Sequence, residues 1–190
     1  MEMLYYALLL FGTVIVAFFI VPPLSARLGK KNGAILLALL SLTFNTALYA
    51  SWLLDLVPGG PSDPSVAFMF SFLIFSNSTA IGMMMLTSSM MADVVEASQQ
   101  ETGRRSEGLF FAGYFFMQKC AVGIGTFAAG MILSFAQFPQ NAAPGKVDVA
   151  VLDGLALYYM GVVAVLGITG VLILRHFPIS RESHNERLRA

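Results

Sequence analysis

Five long apolar stretches are the feature that most constrains what this chain can fold into. Each is close to the ~20 residues that a helix needs to cross ~30 Å of hydrocarbon. Lipid cannot pair with backbone N–H and C=O groups, so a helix is favoured, and no strand pattern competes. The sequence predicts an all-α integral membrane protein with a bundle over residues 1–177 and a cytoplasmic tail over 178–190. The predicted spans are approximately 4–24, 34–57, 66–91, 109–138 and 155–177.

Composition supports a membrane-embedded chain. Hydrophobic residues make up 57% of the sequence and charged residues only 12%, with a mean hydropathy of +0.75. Soluble domains carry about 25% charged residues, so these few charges cannot cover a water-facing surface. The formal net charge is zero, which gives no indication of a nucleic-acid partner. The lipid bilayer is the partner that composition predicts.

The polar segments between the apolar stretches contain residues that interrupt helices. The pair Pro22-Pro23 is predicted to end the first helix, because proline lacks an N–H and clashes with the preceding turn. A turn-rich segment at 58–61 follows the second stretch, and residues 139–153 follow the fourth. The single cysteine, Cys120, lies in an apolar run and is predicted to be a small buried residue.

The positions of the 11 basic residues predict the orientation, since cytoplasmic loops are enriched in Lys and Arg. Lys146 is the only one on the opposite side, and Lys119 falls within the fourth span. We therefore expect a multi-pass protein of the inner (plasma) membrane with its N-terminus outside and its C-terminus in the cytoplasm. An odd number of spans with an external N-terminus suggests part of something larger. The nine basic residues on the predicted cytoplasmic side are Arg27, Lys30, Lys31, Arg104, Arg105, Arg175, Arg181, Arg187 and Arg189.

Lys119 is the most informative single residue. It lies roughly 16 Å into the fourth span, where a charge costs at least ~2.5 kcal/mol and normally faces a partner or a water-filled cavity. Its helix face is predicted to carry Gly123, Thr126 and Gly130, a stripe that permits close helix approach or leaves room for a solute. No acid lies at a similar depth in the five spans, so its partner is expected from another segment, another subunit or the substrate. The alternative is a structural pairing residue, or one that bends toward the lipid headgroups.

A charged cluster follows the third span. Asp93 and Glu96 share a helix face, and the basic pair Arg104 and Arg105, with Glu107 beside it, can close onto them or onto a neighbouring loop. The cluster is interpreted either as a breakable ionic gate or as a solvated loop that obeys the topology rule.

The remaining polar groups point away from catalysis. Asn77 lies in a Ser-Asn-Ser-Thr run in the third span, where it would bond another helix or a solute. The methionines at 83–85 and 90–91 are predicted to be a flexible packing surface rather than a metal site, since no Cys or His joins them. Phosphate-binding glycine loops, zinc spacings and nucleophile elbows are absent from the sequence. Transport or assembly is therefore favoured, without a metal or cofactor.

Two segments carry a resemblance to a known family. The first is MADVVE at 91–96, followed by TGRRSEGLFF at 102–111 and by Gln118-Lys119; the second is PLSARLGKK at 23–31. The chain resembles the glycoside-pentoside-hexuronide:cation symporters, the melibiose permease-like branch of the major facilitator superfamily. The resemblance places the chain as helices eight to twelve, which is most of the C-terminal six-helix bundle. The family pattern departs at Ala97, where an aromatic residue is usual, and around residues 98–100, where an acid is often found.

The resemblance implies part of a sodium- or proton-coupled carrier that moves a sugar or related small solute by alternating access. Lys119, with Gln118, matches the region near the sugar and cation sites, and Asp93, Glu96, Arg105 and Glu107 match a cytoplasmic gate. Arg27, Lys30 and Lys31 match a basic cytoplasmic loop. Helices before the matched region, or a partner subunit, would complete the pathway. The alternative is a truncated or repurposed membrane subunit that assembles with partners but transports nothing.

Overall fold

The computed structural model describes residues 2–58, 65–143 and 146–176, with side chains from residue 11 onward. Its regular structure consists of four helices: α1 (Glu2–Leu53), α2 (Val66–Thr102), α3 (Glu107–Phe135) and α4 (Val149–Arg175). All four are long and apolar enough to cross a membrane. The prediction of an all-α membrane protein is therefore confirmed for the described residues. The predicted tail at 178–190 lies outside them.

Helix α1 is broken at Gly29, whose backbone angles of φ 77° and ψ 163° are non-helical. This region of backbone space is open essentially only to glycine. An unbroken helix of 52 residues would be ~78 Å long, more than twice the ~30 Å hydrocarbon thickness. The break divides α1 into a first arm, residues 2–28, and a second arm, residues 30–53.

Two sequence predictions differ from this arrangement. The predicted five separate helices are not matched, because the span 4–24 and most of the span 34–57 fall in the single broken helix α1, which ends at Leu53. The prediction that Pro22-Pro23 ends the first helix is wrong, since the helix continues through both prolines to Gly29. Neighbouring helices and local adjustments pair the backbone groups that a proline leaves free inside a membrane helix. No such adjustment can make the non-helical backbone angles of Gly29 part of a regular helix, so the break falls there.

The two arms of α1 fold back against the same stretch of α2. A Cβ atom placed on Gly82 would lie 3.0 Å from Val21 Cγ2 of the first arm and 3.0 Å from Leu37 Cδ1 of the second. In a straight helix Val21 and Leu37 would be separated by ~24 Å. Their meeting at one glycine shows that the arms form a helical hairpin packed on α2.

The buried core lies between this hairpin and α2. Val21, Ala34, Leu37, Leu86 and Met90 are buried together there. Close approach depends on small residues, as is usual between membrane helices, and a Cβ on Gly33 would lie 3.0 Å from Leu86 Cδ1. Met83 and Met85, two of the methionines predicted to form a packing surface, pack against this cluster. Leu24 of the first arm and Leu174 of α4 pack against it as well.

Helix α4 runs antiparallel along the second arm of α1. A Cβ on Gly167 would lie 3.0 Å from Leu42 Cδ1, and the rings of Tyr49 and Tyr159 are 4.8 Å apart. Helix α3 is the least covered element, and Ile132 is its one buried residue. Consequently α3 presents most of its surface to whatever surrounds the chain.

The remaining helix bounds position the charged residues. Helix α2 runs to Thr102 rather than 91, and it ends at Gly103, which has φ 69° and donates its N–H to the Gln99 carbonyl. Asp93 and Glu96 therefore lie on a regular helix. Helix α3 ends at Phe135, three residues before the predicted end at 138, and α4 begins at Val149 rather than 155.

Candidate transport and gating site

An ion pair joins the break in α1 to α2. The Lys30 ammonium donates to both carboxylate oxygens of Asp93, at 2.6 and 2.8 Å. Lys30 directly follows Gly29, so the turn of the hairpin places the amine beside α2. The side chains retain 39% and 23% of their exposure, so water still reaches the pair. We call this end of the bundle the Asp93 end.

This pair combines two groups that the sequence analysis treated separately. Lys30 was predicted in a basic loop with Arg27 and Lys31, and Asp93 in a gate with Glu96. The sequence signal for this pair was the charge pattern, which placed Lys30 and Asp93 on the same predicted side of the membrane. The pairing itself depends on the fold of the hairpin against α2, which no sequence spacing specifies.

The other predicted gate residues do not close onto Asp93 or Glu96 within the described part of the chain. Arg105 donates to Glu107 Oε2 from Nη2 at 2.8 Å and from Nε at 3.0 Å, and both side chains are well exposed. Glu96 and Arg104 are also exposed. The Arg104 backbone N–H donates to Thr102 Oγ1 at 3.3 Å, which helps to fix the turn between α2 and α3.

Lys119 lies on α3, about 18 Å along the helix from Glu107. Its side chain is exposed, and within the described residues no carboxylate lies within ion-pair distance of it. The predicted small-residue face is open as well, since a Cβ on Gly123 or Gly130 would meet nothing within 4 Å. Lys119 and this face therefore point away from the packed part of the chain.

A short polar chain next to Lys119 connects α3 to α2. Gln118 Nε2 donates to Tyr114 Oη at 3.0 Å, and Tyr114 Oη lies 3.4 Å from Ser88 Oγ on α2. All three residues are half-buried. Gln118 was a predicted site residue, whereas Tyr114 and Ser88 were not singled out. Tyr114 and Gln118 are one helical turn apart on α3, so the sequence placed them on a common face. The contact of Tyr114 with Ser88 on α2 could not be deduced from sequence.

The Ser-Asn-Ser-Thr run of α2 connects to α1 through a neighbour of Asn77. Ser41 Oγ donates to the Ser76 carbonyl at 3.1 Å, and Ser76 Oγ donates to the Ser41 carbonyl at 3.3 Å. Asn77 is half-buried, and its side chain has no hydrogen bond among the described residues. Ser76 thus performs the helix-joining role that was one interpretation of Asn77.

A hydrogen bond from the Trp52 indole joins α1 to α4 at the opposite end of the bundle, which we call the Trp52 end. Trp52 Nε1 donates to Asp153 Oδ1 at 2.9 Å, which links the end of α1 to the start of α4. The nearby Phe135 and Tyr158 rings are 6.2 Å apart and bring the end of α3 to the same place. A tryptophan near a helix end is typical of a membrane interface, but its partner Asp153 is 101 residues away in sequence and gives no local signal of the contact.

These features define a helical membrane protein with ionic contacts at one end and an exposed lysine partway along an apolar helix. Residues 1–181 match the family model described as MFS/sugar transport protein. The chain therefore belongs to this family of membrane transporters, which places it among carriers rather than enzymes. No solved structure matches the chain.

Three relatives illustrate the similarity. An uncharacterized symporter of Synechocystis sp. is 28% identical over 184 residues, which cover 95% of this chain. A putative 2,3-dihydroxypropane-1-sulfonate exporter of Escherichia coli K12 is 28% identical over 163 residues, or 84% of this chain. Its counterpart from Salmonella typhimurium is 29% identical over 160 residues, or 83%. The matched region is 32% of each relative, so the chain spans about a third of their length.

Proposed function

We propose that the chain forms the C-terminal part of a cation-coupled secondary transporter that carries a sugar or related small solute by alternating access. The observation that carries the proposal is the family match over residues 1–181, combined with an exposed Lys119 that no carboxylate of the described residues pairs. We further propose membership in the melibiose permease-like branch, on the segments at 23–31 and 91–111. Sodium or protons would be the coupling cation.

Lys119 is proposed to face the solute pathway. An intramembrane ammonium needs a counter-charge or water, and α3 supplies neither from its own packed surroundings. In carriers of this type substrate and coupling ions bind between repeats near the middle of the bilayer. The open stripe above Lys119 leaves room there for a solute or for a helix that brings a carboxylate. Gln118 would be held in place by its bond to Tyr114, and Asn77 is proposed as a further polar contact.

The Asp93 end is proposed to be the cytoplasmic gate. The Lys30–Asp93 bond joins two elements that already pack together, the α1 hairpin and α2, and we propose that it stiffens this end. Glu96 and Arg104 are exposed and are the charges available for contacts across a pathway, with Arg105 and Glu107 flanking them. Such contacts would favour one facing state through charge-assisted hydrogen bonds, and they would separate when the gate opens.

The gate proposal requires a defined orientation. Six of the eight lysines and arginines of the described part lie at the Asp93 end, whereas Lys119 lies within α3 and Lys146 lies between α3 and α4. We therefore propose that the Asp93 end is cytoplasmic and that the segment after Leu53 is external. Cysteines at Ser62 and Ser183, both outside the described residues, report the two sides. An impermeant thiol reagent added outside should label Ser62→Cys and leave Ser183→Cys unlabelled, and the reverse pattern contradicts the orientation.

The transport proposal is tested with a chimera in which this chain replaces the matched third of the E. coli relative. Membrane vesicles are assayed for accumulation of labelled sugars and of 2,3-dihydroxypropane-1-sulfonate, with and without a sodium or proton gradient. We expect gradient-dependent accumulation of at least one solute. A chimera that is abundant in the membrane but accumulates nothing under either gradient supports the alternative, in which the chain only assembles with partners.

A further inference from the structure

A tyrosine one helical turn away holds the nitrogen end of the Gln118 side chain. Gln118 Nε2 donates to Tyr114 Oη at 3.0 Å, and both residues are half-buried on α3. The Tyr114 ring packs edge to face against Phe115, with the two ring centroids 5.7 Å apart. On its other side the Tyr114 hydroxyl lies 3.4 Å from Ser88 Oγ, which belongs to α2. The phenol is therefore held by contacts on both helices.

The oxygen end of the same carboxamide is accessible. Nε2 and Oε1 are opposite ends of one planar group, so the bond at Nε2 directs Oε1 away from Tyr114. No described residue donates a hydrogen bond to Oε1. The buried side-chain atoms without a partner in the described part of the chain are Asn45 Oδ1 and Ser78 Oγ. Gln118 Oε1 is not among them, so the packing does not seal it off.

An accessible amide oxygen inside an apolar helix needs a donor. An unpaired acceptor costs free energy in such surroundings, because it has given up its hydrogen bonds with water. The neighbouring Lys119 is exposed and does not bond Gln118. A solute hydroxyl can donate to Oε1, whereas an ionised carboxylate or sulfonate has only acceptors. The free end of Gln118 therefore suits a hydroxyl group.

We propose that Tyr114 is a positioning residue, which holds the Gln118 carboxamide so that Oε1 accepts a hydrogen bond from a solute hydroxyl. Tyr114 acts through Gln118 and does not touch the solute itself. This inference rests on the proposed transport function, which assigns the open side of α3 to the solute pathway. It adds the residue that sets the polarity of the contact, since a carboxamide released from Tyr114 could present either end.

The contact is tested first without any solute, in the intact chain labelled with ¹⁵N-glutamine in detergent micelles. The side-chain resonances of Gln118 are assigned by their loss in Gln118→Leu, and exchange of the Nε2 hydrogens with water is measured by NMR. Exchange of the bonded hydrogen should be about fivefold faster in Tyr114→Phe, which loses only the hydroxyl. The control Tyr158→Phe removes a hydroxyl from a 46% exposed tyrosine on α4 and should change nothing. Equal exchange in Tyr114→Phe and the unmodified chain would overturn the proposal.

The second measurement is uptake of labelled methyl β-D-galactopyranoside by the chimera described above. Tyr114→Phe should raise KM about fivefold and leave the maximal rate unchanged. Adding Tyr114→Phe to Gln118→Leu should raise KM no further, because Tyr114 acts through Gln118. Additive increases in KM would overturn the positioning role, and so would an unchanged KM with a maximal rate that falls with membrane abundance. An unmodified chimera without uptake refutes the transport function instead, and the exchange rates then still decide whether Tyr114 holds the carboxamide.

Discussion

Replacing Gly29 by alanine tests the helical hairpin on which the other contacts depend. At φ 77° and ψ 163° a Cβ atom clashes with the backbone, so Gly29→Ala should lower the free energy of unfolding by about 1–3 kcal/mol. The hairpin cannot avoid this cost by straightening, since Val21 and Leu37 would then leave Gly82. Lys30 would also be withdrawn from Asp93. The expected loss of stability therefore has two sources, which are backbone strain at residue 29 and the loss of the contacts that the turn makes possible.

The matched control is Gly170→Ala on α4. Gly170 has helical neighbours and nothing within 4 Å of an added Cβ, so alanine should be neutral or should stabilise the helix by up to about 1 kcal/mol. Both variants are unfolded by SDS in mixed micelles, and circular dichroism follows the loss of helix. The free energies of unfolding of the two variants are then compared directly. Equal stability of Gly29→Ala and Gly170→Ala would refute the break at Gly29. It would then leave a continuous helix too long for one crossing.

Two further sets of substitutions test the packing and the ion pair in the same unfolding assay. Gly82→Val should lower the free energy of unfolding by about 1–3 kcal/mol, because it overpacks a site already touched by both arms of α1. The control Gly125→Val should lower it far less, since nothing lies within 4 Å of an added Cβ there. Equal losses in the two variants would contradict the packing. Lys30→Asp or Asp93→Lys alone should destabilise by about 1 kcal/mol or more, and the double reversal should recover most of that loss, because the pair is half-exposed. A double variant less stable than either single one would exclude a direct pair.

The sequence predicted the helical membrane class because long apolar runs leave few alternatives. It placed the helix break wrongly, because the proline pair at 22–23 is the stronger local signal while Gly29 looks like an ordinary loop residue. Proline removes a hydrogen bond that a membrane helix can do without, whereas the chain reversal depends on a backbone conformation at Gly29. Local propensity therefore named the wrong residue only a few positions away from the actual break.

The candidate site was predictable as a set of residues but not as a set of contacts. Charge asymmetry placed Lys30 and Asp93 at one end of the bundle, yet their pairing follows from the tertiary packing of the hairpin on α2. Trp52 and Asp153 illustrate the same limit at the opposite end, since they are far apart in sequence and meet through antiparallel packing. Lys119 was identified by depth alone, because an unpaired charge inside an apolar span is a local property of the sequence.

Gradient-driven uptake by Lys119 variants of the chimera measures whether the Lys119 ammonium takes part in coupled transport. Lys119→Ala should reduce gradient-driven solute accumulation to the level of vesicles without the chimera, while its abundance in the membrane stays unchanged. Lys119→Arg retains the charge and should retain part of the uptake. Removing the ammonium would leave an opposing carboxylate unpaired in a low-dielectric site and disturb ion coupling. Full gradient-driven uptake by Lys119→Ala would contradict a role of Lys119 in coupling, and so would a loss of uptake that only follows a loss of abundance.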